Sequence, residues 1–158
     1  MKHQVVDARG TRIHCAEEGS GPLVLLVHGF PELWYSWRHQ LPVIAAAGFR
    51  AVAIDVRAYG RSSAPLEVEA YGMLQHVSDN LAVAEALAGR GSTAIIIGHD
   101  WGAPIAACSA LLRPDIFTAV AMLSVPYSPP GGRRPTEAFA EMGSRSGPMK
   151  SAGSSWTG

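Results

Sequence analysis

The sequence predicts an α/β fold built on a mostly parallel sheet with helices on both faces. First, short apolar runs rich in Val, Ile and Leu alternate with longer segments of helical spacing along most of the chain. Second, the central runs are continuously apolar, which is typical of strands buried on both faces. Third, a composition of 47% hydrophobic and 16% charged residues excludes an intrinsically disordered chain.

Each predicted element has its own local signal. Short strands over 5–7 and 13–17, joined by a turn at Arg9 and Gly10, predict an antiparallel hairpin. Further strands are predicted over 23–28, 50–55, 94–98 and 119–124. Helical segments are predicted over 34–47, 71–88 and 101–112. Glycines at 48 and 89 are expected to end the first two helical segments.

The composition changes after Tyr127 and divides the chain into two parts. Residues 1–127 are predicted to form a core domain. Residues 128–158 are dense in Gly, Ser, Pro and Arg. We predict a disordered tail there, because such a segment buries too little apolar surface to offset its ordering entropy.

Charge, hydropathy and cysteine usage exclude several classes of protein. With 13 Lys and Arg against 13 Asp and Glu, the chain has no electrostatic basis for binding nucleic acid. No apolar run approaches the ~20 residues of a membrane span, and the start resembles no secretory signal. Cys15 and Cys108 form no paired motif, which favours a reducing compartment. We therefore predict a cytoplasmic protein without nucleic-acid or membrane partners.

The strongest local motif is Gly-His-Asp-Trp-Gly at 98–102, between a predicted strand and a predicted helix. This pattern is typical of a nucleophile elbow, in which the middle residue occupies a sharp turn. Gly98 and Gly102 are expected where strand and helix approach too closely for a side chain. Asp100 then projects at the carboxyl ends of the strands, near a helix N-terminus that favours its ionised form. The alternative interpretation is that Asp100 only caps the helix.

Two other segments favour the elbow interpretation. His28, Gly29, Phe30 and Pro31 follow a strand about seventy residues earlier, where an oxyanion-hole loop is expected. Such a hole takes one N–H from this loop and one from the residue after the nucleophile, which are the positions of Phe30 and Trp101.

The third segment, 55–63, runs from a strand end into a loop, and Asp55 is expected to pair there with Arg57 or Arg61 in a structural role.

Together these motifs resemble the N-terminal half of an α/β-hydrolase and, within that fold, the soluble epoxide hydrolases. The resemblance rests on 28–31 with the following Glu-Leu-Trp-Tyr-Ser-Trp-Arg run, on 55–62, and on all five elbow positions. It covers roughly 5–140. The one departure is Ala58, at a position where the family usually has Gly. The fold implied is a partial α/β-hydrolase that lacks the lid and the last strands.

The resemblance implies an aspartate nucleophile that acts without cofactor or metal. A carboxylate is already ionised at neutral pH, so Asp100 needs no base to attack a strained saturated carbon. In the family, that carbon belongs to a small-molecule epoxide, two lid tyrosines protonate the ring oxygen, and a histidine-activated water hydrolyses the resulting ester. The N–H groups of Phe30 and Trp101 are expected to bind the oxyanion of this second step.

The remaining histidines and tryptophans have structural interpretations. His28 is expected to support the oxyanion loop, and His99 to pack behind the elbow. Histidines at 3, 14, 39 and 76 have no metal-ligand spacing and are interpreted as surface or packing residues. Trp34 and Trp37 fit either a substrate pocket or the core.

No histidine follows His99 in the sequence. In this fold the acid and the histidine follow the nucleophile. We therefore expect the base, its acid partner and the lid tyrosines outside this chain, a sheet edge left apolar and exposed, and no turnover by the chain alone. Residues 134–139 are then the start of a truncated lid.

The alternatives are a haloalkane or haloacid dehalogenase, which Phe30 and Trp101 disfavour, and a non-catalytic fragment. The oligomeric state is open.

Overall fold

The computed structural model describes residues 1–125, which form one six-stranded sheet and three α-helices. The strands are β1 (Lys2–Ala8), β2 (Thr11–Glu18), β3 (Leu23–Val27), β4 (Arg50–Ile54), β5 (Ala94–His99) and β6 (Phe117–Leu123). The helices are α1 (Gln40–Ala46), α2 (Met73–Ala88) and α3 (Gly102–Leu112). Short 3₁₀ turns at Trp34–Trp37 and Val68–Tyr71 precede α1 and α2. The predicted tail at 128–158 lies outside the described residues.

The sheet has the order β1-β2-β4-β3-β5-β6. The pairs β1–β2 and β2–β4 are antiparallel, whereas β3–β4, β3–β5 and β5–β6 are parallel. The predicted hairpin, the alternation of strands and helices, and the α/β class are therefore confirmed. Within residues 1–125, no helix is long and apolar enough to cross a membrane.

The central strands form because their side chains are buried on both faces. All five residues of β3 are buried between β4 and β5. On one face, Leu25 and Val27 belong to a cluster that includes Leu81 of α2 and Ile105 of α3. On the other face, Leu26 packs in a second cluster with Trp37 and Leu41. This two-sided burial explains why the strand reads as a continuous apolar run.

The parallel pairing brings three chain segments to one edge of the sheet. Val27 is paired with both Ile54 and Gly98, so β3, β4 and β5 end at nearly the same level. The segments that follow these strands begin at His28, Asp55 and Asp100. The register therefore gathers all three sequence motifs at the carboxyl edge, where α/β proteins bind ligands.

At the far side of the described sheet, β6 lies at the edge. Val120 and Leu123 on this strand are exposed. An apolar groove of about 410 Å³ runs beside it, between the strand and α3. The expected apolar sheet edge is thus observed within residues 1–125.

Buried charges anchor the segment that follows β4. The Arg57 guanidinium forms two hydrogen bonds with the Asp79 carboxylate, at 2.8 and 2.6 Å, and a third with the Ala70 carbonyl at 2.7 Å. The expected pairing of Asp55 with Arg57 is therefore wrong. Arg57 instead ties the loop to α2, which places a buried cation against a carboxylate and a carbonyl that satisfy it.

The same loop holds Ala58 in the left-handed region, with φ of 72°. A non-glycine residue there suffers a clash between its Cβ and the backbone, and glycine does not. The side chain of Ala58 is exposed, so the small size of Ala relieves no steric contact with neighbouring side chains. The cost of having Ala at this position is therefore one of backbone conformation.

We expect Ala58→Gly to stabilise the protein by about 0.5–1 kcal/mol, because relief of the left-handed strain exceeds the extra entropy of glycine in the unfolded chain. The matched control is Ala86→Gly at an exposed position within α2. That change should destabilise the protein by about 1 kcal/mol. Urea unfolding of the three proteins measures both effects, and a loss of stability in Ala58→Gly contradicts the interpretation.

Candidate active site

Asp100 occupies a sharp turn between β5 and α3, with φ of 51°. The flanking glycines permit this turn. A Cβ on Gly98 would overlap the carbonyl oxygen of Gly102, and a Cβ on Gly102 would overlap that of Val27. The strand, turn and helix thus have the geometry predicted for a nucleophile elbow.

The Asp100 carboxylate accepts a hydrogen bond from the backbone of the 28–31 loop. The Phe30 N–H donates to Oδ1 at 2.9 Å. The backbone N–H groups of Phe30 and then Trp101 lower the pKa of Asp100 below its ordinary value. The helix-cap interpretation does not fit, because Trp101 is the N-cap residue of α3 and no side chain forms a capping hydrogen bond there.

The 28–31 loop is held in place by His28, which is 1% exposed. The Val56 N–H donates to His28 Nε2 at 2.9 Å, so Nδ1 carries the proton and donates to the Gly29 carbonyl at 2.8 Å. Burial lowers the pKa of His28, which agrees with a neutral ring. His28 therefore links the end of β4 to this loop, as a supporting role requires.

The loop and the elbow lie in close contact at Gly29. A Cβ at this position would overlap the Asp100 side chain, so no larger residue fits there. The following peptide, Phe30–Pro31, is cis. Glu32 joins the two segments from the other side. Its Oε2 accepts from the Gly29 N–H at 3.0 Å and lies 3.2 Å from His99 Nδ1. His99 thus contacts the loop rather than only packing behind the elbow.

The tryptophans divide between the core and its rim. Trp37 is buried in the second hydrophobic cluster, with Leu41 of α1. Its ring packs edge-on against the His99 ring, with 6.5 Å between the ring centroids. Its Nε1 has no hydrogen-bond partner among residues 1–125. Trp34 is half-buried and packs edge-on against His3 at 4.9 Å.

A cleft of about 150 Å³ opens beside the elbow. Residues that line it include His28, Phe30, Tyr59, His76, Trp101 and Ile105. Phe30 and Trp101 are each 63% exposed, so the rim of the cleft is aromatic and faces outward. His76, interpreted from sequence as a surface or packing residue, is therefore a lining residue of this cleft.

Sequence reasoning missed the surroundings of Asp55. Its Oδ2 lies 2.8 Å from His14 Nδ1 and accepts from the Arg61 N–H at 3.0 Å, while Oδ1 accepts from the Trp34 N–H at 2.9 Å. Arg61 thus contributes its backbone rather than its guanidinium. The available signal was a polar residue, His14, between the apolar residues Ile13 and Cys15 of β2, but its partner lies 41 positions away.

Within residues 1–125, no group of three or more His, Cys, Asp or Glu side chains is arranged to hold a metal ion. At this edge the structure places the half-buried Asp100 carboxylate against the Phe30 N–H and beside the aromatic cleft.

Comparison with known proteins agrees with this architecture. Residues 22–140 match the family model described as the alpha/beta hydrolase fold. The chain therefore belongs to the α/β-hydrolase fold family.

Within that family, the chain is similar to epoxide hydrolases. It is 44% identical to Epoxide hydrolase B of Mycobacterium tuberculosis over 89% of this chain and 43% of that protein. It is 47% identical to Bifunctional epoxide hydrolase 2 of Sus scrofa over 76% of this chain and 21% of that protein.

The solved structure of an epoxide hydrolase from an endophytic Streptomyces superposes with a TM-score of 0.83 and 65% identity, over 89% of this chain and 42% of that one. The chain thus spans less than half the length of these relatives, and its described part forms part of their fold.

The lowered pKa values of His28 and His76, both caused first by burial, predict a loss of stability in acid. Below the ordinary histidine pKa of about 6.5, the unfolded chain binds protons that the folded chain does not. The free energy of unfolding should therefore fall as pH is lowered through this value, by at most ~1.4 kcal/mol per pH unit for each histidine.

Urea unfolding at a series of pH values measures this slope. The variant His76→Gln should reduce it, and His39→Gln, at an exposed position, should leave it unchanged. Stability that rises as the pH is lowered contradicts the assignment.

Proposed function

We propose that Asp100 is the nucleophile of an epoxide hydrolase and that this chain carries the ester-forming half of the reaction. The observation that carries the proposal is the Asp100 carboxylate at an elbow turn, hydrogen-bonded to the Phe30 N–H. The lowered pKa of Asp100 supports it, because an ionised carboxylate can attack carbon without a base. Similarity to proteins named epoxide hydrolases supports the substrate class.

In the first step, an Asp100 Oδ atom attacks a ring carbon of the epoxide. The carbon–oxygen bond of the ring breaks as the ester bond forms, and in the isolated chain the ring oxygen takes a proton from solvent water. The product is a hydroxyalkyl ester of Asp100, and no group leaves. The exposed aromatic rim formed by Phe30 and Trp101 suits an apolar substituent on the epoxide.

In the second step, water attacks the Asp100 ester carbonyl, and the negative charge develops on the carbonyl oxygen. The Phe30 N–H, which already hydrogen-bonds the carboxylate, and the N–H of Trp101 would donate to that oxygen. This step needs a base to take a proton from the water. The 158 residues contain no histidine after His99, so we propose that the isolated chain stops at the ester.

An epoxide fits the site better than a carbon–halogen bond. Dehalogenases of this fold would be expected to carry an Asn at the position of Phe30 or an Arg at that of Trp101, and this sequence has aromatic residues at both.

Cys15 and Cys108 are free, which supports a reducing, cytoplasmic compartment for the protein.

Incubation of the full chain with styrene oxide should add the mass of one epoxide to the protein, as measured by intact mass spectrometry. Asp100→Asn should abolish the adduct, because an amide is not a nucleophile at neutral pH. Asp115→Asn, a change of the same kind at an exposed acid, should leave it.

An adduct that persists in Asp100→Asn contradicts the assignment of the nucleophile. Catalytic release of diol by the pure chain contradicts the proposal that it stops at the ester. A chain that gains mass only from an alkyl halide, with loss of halide, is a dehalogenase, and one that reacts with neither is non-catalytic.

A further inference from the structure

We propose that His3, His14 and Asp55 form a hydrogen-bonded relay that positions the 28–31 loop for Asp100. This inference rests on the proposed function in one respect, namely that the loop's Phe30 N–H serves Asp100. None of the three residues is among the contacts of Asp100, so they are positioning residues.

The relay is centred on a buried carboxylate. Asp55 is 1% exposed and His14 is 2% exposed. A charge removed from water in this way requires donors on its oxygens. Asp55 receives three, which are the backbone N–H groups of Trp34 and Arg61 and the Nδ1–H of His14. Loss of any donor would leave part of the carboxylate charge uncompensated.

Hydrogen-bond direction fixes the tautomer of each histidine. An ionised Asp55 only accepts, so His14 Nδ1 carries a proton, and in the neutral form of His14 its Nε2 accepts. His3 Nδ1 lies 3.1 Å from that Nε2 and is then the donor that completes the chain. The two imidazole rings are nearly parallel, with an angle of 10° between their planes and 5.2 Å between their centroids. His3 therefore connects the buried pair to the surface at β1, where its side chain is exposed.

The charges around His3 favour its neutral form. Burial, His14, Arg61 and the N-terminal amine all lower the pKa of His3, and Asp55 opposes them. The neutral His3 ring has one N–H, which the chain of hydrogen bonds places at Nδ1. With His14 neutral as well, each of the two rings has its one N–H at Nδ1.

The relay is attached to both ends of the loop segment that reaches Asp100. At one end, Val56, the residue after Asp55, donates its N–H to His28, which in turn donates to the Gly29 carbonyl. At the other end, Asp55 itself accepts from the Trp34 N–H. The Phe30 N–H, which binds Asp100, lies between these two attachments. Displacement of Asp55 would therefore weaken both attachments of the loop.

The test compares amide hydrogen exchange at Phe30 and Trp34 in the full chain and in three variants, without substrate. His14→Phe keeps an aromatic ring but removes the donor to Asp55. His3→Val removes only the outer donor, at an exposed position where the fold is retained. Ser109→Ala is the control, because it breaks a buried hydrogen bond between α2 and α3, donated by Asn80, that includes no residue of the loop or of the relay.

His14→Phe should speed exchange at both amides about tenfold relative to the amides of β3. His3→Val should leave Asp55 paired and His14 in its Nδ1–H form, but should shift the ¹⁵N signal of His14 Nε2, which loses its hydrogen-bond donor. Ser109→Ala should change neither readout. The rate of Asp100 ester formation should fall in His14→Phe.

Unchanged exchange at Phe30 and Trp34 in His14→Phe overturns the inference. So does a ¹⁵N signal of His14 Nε2 that is unchanged in His3→Val, which remains measurable if His14→Phe does not fold. The exchange and ¹⁵N experiments need no epoxide, so they fail independently of the proposed function. Conversely, absence of any ester in the unaltered chain contradicts the proposed function, whereas the exchange and ¹⁵N results for the relay still stand.

Discussion

The hydrogen bond from the Phe30 N–H to Asp100 joins residues seventy positions apart, and most of the described fold is required to make it. It needs β3 and β5 to be adjacent and parallel, in the register that pairs Val27 with Gly98. It also needs an elbow in which neither Gly98 nor Gly102 carries a side chain. The apolar, two-sided burial of β3 satisfies the first requirement, and the sequence of the elbow satisfies the second.

Backbone donors hold their position only when their segments are fixed, and three polar side chains fix the 28–31 loop. His28 attaches it to the end of β4, Glu32 attaches it to His99 in the elbow, and Asp55 attaches the segment that follows it. Two of these side chains, His28 and Asp55, are buried with their polar atoms satisfied. This arrangement is typical of preorganised sites, where rigid support keeps donors aimed at a developing charge.

The sequence predicts contacts that arise from local geometry far better than those that arise from topology. The elbow, its glycines and the loop that faces it follow from residue types at fixed spacing. The partners of Asp55 do not, because His14 lies on a strand brought near only by the antiparallel pairing of β2 with β4. Arg57 was likewise assigned to its near neighbour Asp55 when its partner, Asp79, lies on α2. The left-handed φ of Ala58 is likewise set by the loop as a whole and not by its own residue type.

The central claim is that backbone hydrogen bonds keep the Asp100 carboxylate ionised and oriented for attack. The most direct measurement is the ¹³C chemical shift of the Asp100 side-chain carboxyl group, followed from about pH 7 downward for as long as the chain stays folded, beside that of an unstructured aspartate-containing peptide. The account predicts that Asp100 protonates at lower pH than the peptide, because the pKa of Asp100 lies below the ordinary aspartate value. Protonation of Asp100 at the same pH as the peptide, or at a higher one, would contradict it.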